Sequence, residues 1–280
     1  MGAIELKNVT FAYPNGFVAN ENLNLVVKKG ERVAIVGQNG AGKTTAVKLM
    51  NGLTKPTMGD VFVDGINTKD RTTAQISAYV GYVFQNPDDQ IFNSSVKKEI
   101  EYMLHYLRLD QKEIDRRVAR TVELTGLKDY LGMNPYDVPY SIRKFVTIAV
   151  ILALDTPYII LDEPTAGQDL NSIRALSNLL NILQNEGKTV ITITHDMEFV
   201  ADHFTRVVTM ANKRIIADDT ARNIFWDDHV VSKAKLMKPQ ISELANQLGI
   251  DGKVLYRNEL VEALTDRQLG TQKQVKSMGF

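Results

Sequence analysis

Three short stretches of the 280-residue sequence carry residue types that act on phosphate: GQNGAGKTT (37–45), LDEPTAGQD (161–169) and THD (194–196). The first matches G-x-x-x-x-G-K-[ST] through Gly37, Gln38, Asn39, Gly40, Ala41, Gly42, Lys43 and Thr44, with Thr45 next in line. Glycines let a backbone turn tightly enough to aim successive N–H groups at phosphate oxygens, and a helix starting there adds its positive dipole end. Lys43 would neutralise the β and γ phosphates of a nucleotide, and Thr44 would offer its hydroxyl to Mg²⁺. The plainer alternative is a glycine-rich turn that only closes a strand. Against it stand the strand-like RVAIV before the loop and the helix-like TAVKLMNGL after it.

In the second stretch Asp162 and Glu163 end the apolar run YIIL, and carboxylates at the end of a buried strand are where α/β sheets present catalytic groups. Asp162 would hold Mg²⁺ through water, and Glu163 would orient and polarise an attacking water as general base. A solvated acidic strand end is the bland reading. A lone histidine is more often structural than catalytic. His195, however, follows the apolar run TVITIT and would hydrogen-bond to a γ-phosphate from the same sheet edge.

The elements that must position these groups follow from periodicity. AIEL and VFVD alternate like strands with one exposed face, whereas RVAIV, YIIL and TVITIT are the near-continuous apolar runs of strands covered on both faces. The expected fold is α/β, a mostly parallel central sheet flanked by helices with an antiparallel β subdomain. From about 96 to 154 the chain reads as an inserted helical subdomain, with Ile100, Met103, Leu104 and Leu107 at helical spacing in its first part. After the hairpin-like VVTMANKRIIAD, residues 226–280 read as a small C-terminal helical extension holding ISELANQL and NELVEAL.

Composition removes several classes of function. Lys plus Arg and Asp plus Glu both total 33, so no long-range field steers the chain to nucleic acid or an anionic membrane, and no nucleic-acid partner is expected. Zero cysteines exclude disulfides, thiolate metal sites and a cysteine nucleophile. The opening MGAIELKNVT lacks a basic-then-apolar secretory pattern, and no apolar run is long enough to span a bilayer.

Taken together these residues resemble the ATP-binding subunits of ABC transporters over about the first 225 residues, with the P-loop NTPase fold that family implies. On that resemblance, 37–44 is the Walker A loop, Asp162 and Glu163 close Walker B, Ala166 to Asp169 is the D-loop, and His195 is the switch histidine. Gln85, in YVFQNPDDQIF, falls where the family places a glutamine that senses Mg²⁺ and the attacking water, and Tyr13, in FAYPNG, where a ring stacks on adenine. From the residues alone, Tyr13 also suits strand-end packing and Gln85 a surface amide. VFQNPDDQIF, PTAGQD and PQISELANQLG narrow the likeness to the energy-coupling factor subgroup with its cobalt and biotin relatives. That subgroup implies ATP and Mg²⁺ as cofactors and a peripheral place on the cytoplasmic face of the membrane. It implies a transmembrane coupling protein touching Gln85 to Phe92, a substrate-binding membrane protein reached indirectly, and vitamin or metal-ion uptake. An exporter ATPase and a nucleotide-binding regulatory subunit with little hydrolysis share the same engine and stay open as alternatives.

One segment departs from the family. Where LSGGQ is expected, 138–149 reads VPYSIRKFVTIA, without glycine. Side chains there restrict backbone approach to a phosphate, and Pro139 has no N–H to donate. Ser141, Arg143 and Lys144 leave a hydroxyl and positive charge for a weaker contact, and Phe145, Ile148, Ala149 and Leu152 continue as a buried helix face. Because this element serves the opposite site of an ATPase pair, a heterodimer with a second, homologous ATPase is expected, the C-terminal extension contributing to dimerisation.

Overall fold

A computed structural model describes residues 3–250 and 252–277, with side chains to residue 267. Its ten strands make two sheets. β1 (Ala3–Ala12), β2 (Val18–Lys28), β4 (Met58–Val63) and β5 (Ile66–Asn67) form the antiparallel sheet in the order β2-β1-β4-β5. β3 (Arg32–Val36), β6 (Val80–Val83), β7 (Tyr158–Asp162), β8 (Thr189–Ile193), β9 (Arg206–Ala211) and β10 (Arg214–Thr220) form the other, in the order β10-β9-β3-β8-β7-β6. All pairs in this second sheet are parallel except β9 with β10. Those two are joined by a two-residue turn in which Asn212 and Lys213 both take positive φ, 49° and 69°, the twist a tight hairpin requires.

Each central strand has apolar residues on both faces because each face meets its own core. Val33 and Ile35 of β3 pack with the antiparallel sheet and helix α1 (Lys43–Met50), while Ala34 and Val36 pack with the helices of the other layer. β7 divides the same way, Tyr158 and Ile160 against Ile159 and Leu161. The strand period of two thus makes two cores from one run.

After α2 (Thr73–Ser77) and β6, the helical segment consists of α3 (Val96–Tyr106), α4 (Gln111–Thr125) and α5 (Tyr140–Leu154). Ser95 and Asp110 cap α3 and α4 by accepting the N–H of Lys98 and Glu113. Ile100 and Leu104 are buried as the spacing predicts, but Leu107 is half exposed: α3 ends at Tyr106, so the helical register no longer carries Leu107 into the core. On α5, Phe145, Ile148, Ala149 and Leu152 are all buried.

α6 (Leu170–Asn185) and α7 (Met197–His203) follow β7 and β8, and α8 (Ala221–Phe225) and α9 (Asp228–Ala234) lead to α10 (Gln240–Gln247) and α11 (Arg257–Ser277). Ala245, Ile250, Val254 and Leu260 make a small separate core there, with Trp226 packed on it. The Trp226 indole donates to the Val254 carbonyl at 2.8 Å, and Arg222 pairs with Glu259.

What this topology gives the site is a single edge. β6, β7, β8 and β3 are neighbours, Asp162 and Ile35 both stand level with Ile193, and the residues that follow all four strands therefore emerge side by side.

Candidate functional site: a phosphate-binding cleft

The loop after β3 folds as its glycines dictate. Gly37 has φ 146°, and a Cβ there would fall 2.1 Å from the Met210 carbonyl oxygen on β9. Gly42, at φ 96°, starts α1, and a Cβ there would strike the Asn20 amide at 2.4 Å and the Ala19 carbonyl at 2.5 Å. These contacts hold the loop so that α1 begins with no side-chain cap, its first N–H groups facing the cleft. Lys43 is buried, and its ammonium donates to the carbonyls of Gly37 at 2.7 Å and Gln38 at 3.1 Å and to His195 Nε2 at 3.1 Å.

Asn39, Gly40, Ala41, Gly42, Lys43, Thr44 and Thr45 line one side of a cleft of about 570 Å³, and Gln85, Glu163, Ala166 and His195 line the other. Gly37, Gln38 and Asp162 do not line it; the first two support Lys43 from below, and Asp162 lies buried behind the wall. Glu163 takes the left-handed conformation at φ 49°, donates its N–H to the Ile193 carbonyl at 2.8 Å, and accepts the His195 N–H at 3.2 Å. Burial pushes the Glu163 carboxyl up to about 7, against the lowering effects of that N–H and of Lys43. His195 is held below its ordinary value by burial and by the Lys43 charge. An ammonium can only donate, so His195 Nε2 accepts from Lys43 and the neutral ring carries its proton on Nδ1.

Asp162 is 1% exposed; one carboxylate oxygen accepts the Tyr82 hydroxyl at 2.8 Å, and the other, Oδ1, is buried without a hydrogen-bond partner. Among the described residues no group of three or more His, Asp or Glu side chains gathers that could cage an ion. A buried, unpartnered hard oxygen suits Mg²⁺, which keeps waters and phosphate oxygens as its other ligands.

Phe17 also lines the cleft and is missed by reading motifs. The Tyr13-to-Phe17 turn, closed by the Tyr13 N–H on the Phe17 carbonyl at 2.9 Å, sets the two rings nearly parallel with centroids 6.3 Å apart. The hairpin signal in YPNGF places a second aromatic across the turn from Tyr13. Tyr13 and Phe17 are 40% and 54% exposed, so both rings are open to solvent at the cleft.

The altered segment behaves differently from the expectation that its cations reach phosphate. Lys144 is fully buried and points inward, donating to the carbonyls of Phe84 at 3.0 Å, Gln85 at 2.5 Å and Asp162 at 3.2 Å. Burial lowers its pKa to about 8. Arg143 pairs with Asp88 at 2.8 Å and donates to the carbonyls of Pro135 and Tyr136. Both charges are used within the chain because α5 begins at Tyr140 and its first turn faces the loop after β6.

The ABC transporter family model matches residues 20–166. An energy-coupling factor transporter ATP-binding protein of Methanothermobacter thermautotrophicus is 36% identical over 251 residues, 89% of this chain and 81% of that protein. Among solved structures, CbiO1 of Clostridium perfringens, described as part of the ABC transporter complex CbiONQ, superposes with a TM-score of 0.75 at 29% identity, covering 88% and 98% of the two chains. The dimeric ATP-binding cassette MJ0796, in a post-hydrolysis state with ADP and phosphate bound, superposes with a TM-score of 0.72 at 28% identity, over 78% and 98%. A phosphate loop beside a buried carboxylate on one sheet edge, in a chain matched over most of its length, makes this protein a member of the ABC transporter ATP-binding family of ATPases, of the energy-coupling factor type.

Proposed function

We propose that the chain is one of two unlike ATPase subunits beneath a transmembrane coupling protein, and that it powers uptake of a micronutrient, a vitamin or a metal ion. The observation that carries this reading is the convergence of Lys43, Glu163 and His195 on one another within a single cleft. Tyr13 and Phe17 stack on adenine, the N–H groups of the Gly37–Thr45 loop take the phosphates, and Lys43 neutralises their charge. Thr44, Asp162 and Gln85 hold Mg²⁺, which when bound screens the phosphate charge. Glu163 orients and polarises the attacking water, a role suited to a carboxyl held near 7. His195 hydrogen-bonds to the γ-phosphate.

The partner follows from α5. Its first turn offers no glycine and no N–H at Pro139, and its cations are already paired within the chain, so two copies of this chain would share a weak phosphate clamp in both sites. A different ATPase supplies that clamp over this chain's cleft, while residues 226–280 contribute to the pairing. The segment Asn86 to Phe92 contacts the coupling protein, and the pair sits on the cytoplasmic face of the membrane. Among the described residues no helix is long and apolar enough to cross it.

Copurification with a second ATPase and a small transmembrane protein is the expected result, with low turnover for the chain alone. In the reconstituted complex Glu163→Gln is expected to remove most ATP hydrolysis; full turnover in that variant would overturn the assignment.

A further inference from the structure

The loop from Phe84 to Asn93 follows β6 and carries Gln85, with only one short 3-10 turn, Pro87–Asp89, of its own. Four side chains hold it from outside. Lys144 takes the Phe84 and Gln85 carbonyls, Arg143 takes the Asp88 carboxylate, and the Tyr136 hydroxyl donates to the Ile91 carbonyl at 2.8 Å. Glu99, 3% exposed, accepts the N–H groups of Phe92 and Asn93 at 3.1 and 2.7 Å. Two of these four holders, Arg143 and Lys144, stand at the start of α5 in the glycine-free segment, and Tyr136 lies just before it.

The same turn reaches two further places. Lys144 also binds the carbonyl of Asp162. The Tyr140 ring lies over Gly167, where a Cβ would come within 2.9 Å of it. A buried ammonium has no water to replace a lost acceptor, so its bonds fix the carbonyls of Phe84, Gln85 and Asp162 relative to one another. Displacing Gln85 must either carry Asp162 with it or break a charge-assisted hydrogen bond.

We propose that the first turn of α5 is a strut, in which Lys144 and Arg143 are positioning residues that set Gln85 against Asp162 and transmit displacement of the Gln85–Phe92 loop to the end of β7. The strut rests on the reading above, in which Gln85 and Asp162 serve Mg²⁺ and the loop meets a membrane partner. It also gives the cations of this glycine-free segment a use: they act on their own chain.

The test is ATP binding by the full-length chain, followed with a fluorescent ATP analogue, in EDTA and across a Mg²⁺ titration. Lys144→Met removes all three bonds of the ammonium, and loss of the one to the Asp162 carbonyl is expected to raise the Mg²⁺ concentration for half-maximal effect about tenfold. Affinity in EDTA should stay within about twofold, which a general loss of folding would not allow. Arg143→Asp should shift the Mg²⁺ requirement in the same direction, and adding Asp88→Arg should restore it. Should Lys144→Met not fold, this more exposed pair decides alone. An unchanged Mg²⁺ requirement in folded Lys144→Met, or no restoration in the double variant, overturns the strut. Asp162→Asn separates the two levels: if it alters the Mg²⁺ response while Lys144→Met does not, only the strut falls, and if it has no effect, the Mg²⁺ reading falls with it.

Discussion

Replacing Glu163 by glutamine should stabilise the protein, and the gain should grow with pH. The residue is 8% exposed and burial pushes its carboxyl from an ordinary 4.5 to about 7. Below about 4.5 the carboxyl is protonated in folded and unfolded chains alike and contributes nothing. Between about 4.5 and 7 the unfolded chain ionises and the folded one does not, so stability falls as pH rises; above 7 the penalty is complete and constant. That interval corresponds to about 3 kcal/mol at full value, reduced to roughly 1–3 kcal/mol because one side of the group faces the open cleft. Glutamine has the same shape and can still accept the His195 N–H, but it carries no charge to desolvate. Urea unfolding of wild type and Glu163→Gln, followed by circular dichroism at pH 5 and pH 8, isolates the effect. The variant should exceed wild type by little at pH 5 and by roughly 1–3 kcal/mol at pH 8. An equal difference at both values would refute the claim that the folded chain holds this carboxyl near neutrality.

Gly37→Ala places a methyl 2.1 Å from the Met210 carbonyl oxygen and should cost more than about 2 kcal/mol in urea unfolding, whereas Gly40→Ala, with no atom within 4 Å, should cost only about 1–2 for its positive φ. Tyr13→Ala and Phe17→Ala should each weaken ATP binding about tenfold in isothermal titration while leaving tripolyphosphate affinity unchanged, if the rings serve the base as proposed. Trp226→Phe removes the bond to the Val254 carbonyl and should lower protection of α10 amides in hydrogen exchange by about 1 kcal/mol without changing that of β3 or β7.

Most of the engine was legible because it is local. RVAIV, YIIL and TVITIT announce strands buried on both faces, and each is followed within a few residues by the group it presents. The hairpin at Asn212–Lys213 and the buried face of α5 were legible for the same reason. What the chain concealed depends on distance. Lys144 looked like surface charge beside a phosphate because its acceptors are about 18 and 60 residues away, and only the packing of α5 against β6 and β7 brings them within reach. Phe17 hid across a turn, visible only once Tyr13 and Phe17 were paired. Leu107 obeyed the helical period but lay one residue past the helix that would have buried it.

Lys43 already has three acceptors for its three protons: the Gly37 carbonyl, the Gln38 carbonyl and His195 Nε2. A phosphate oxygen can join it only by exchange, and the histidine, held by one ring nitrogen and partly exposed, is the partner easiest to displace. Anion capture and the freeing of a ring nitrogen are therefore one event. A stray inorganic phosphate or sulfate gains little from this ammonium, since it must replace a bond already made, and a ligand that also brings a chain of oxygens to the glycine loop has the further contacts that force the exchange. Discrimination against small anions is built into the way the lysine is folded, before any part of a nucleotide is read.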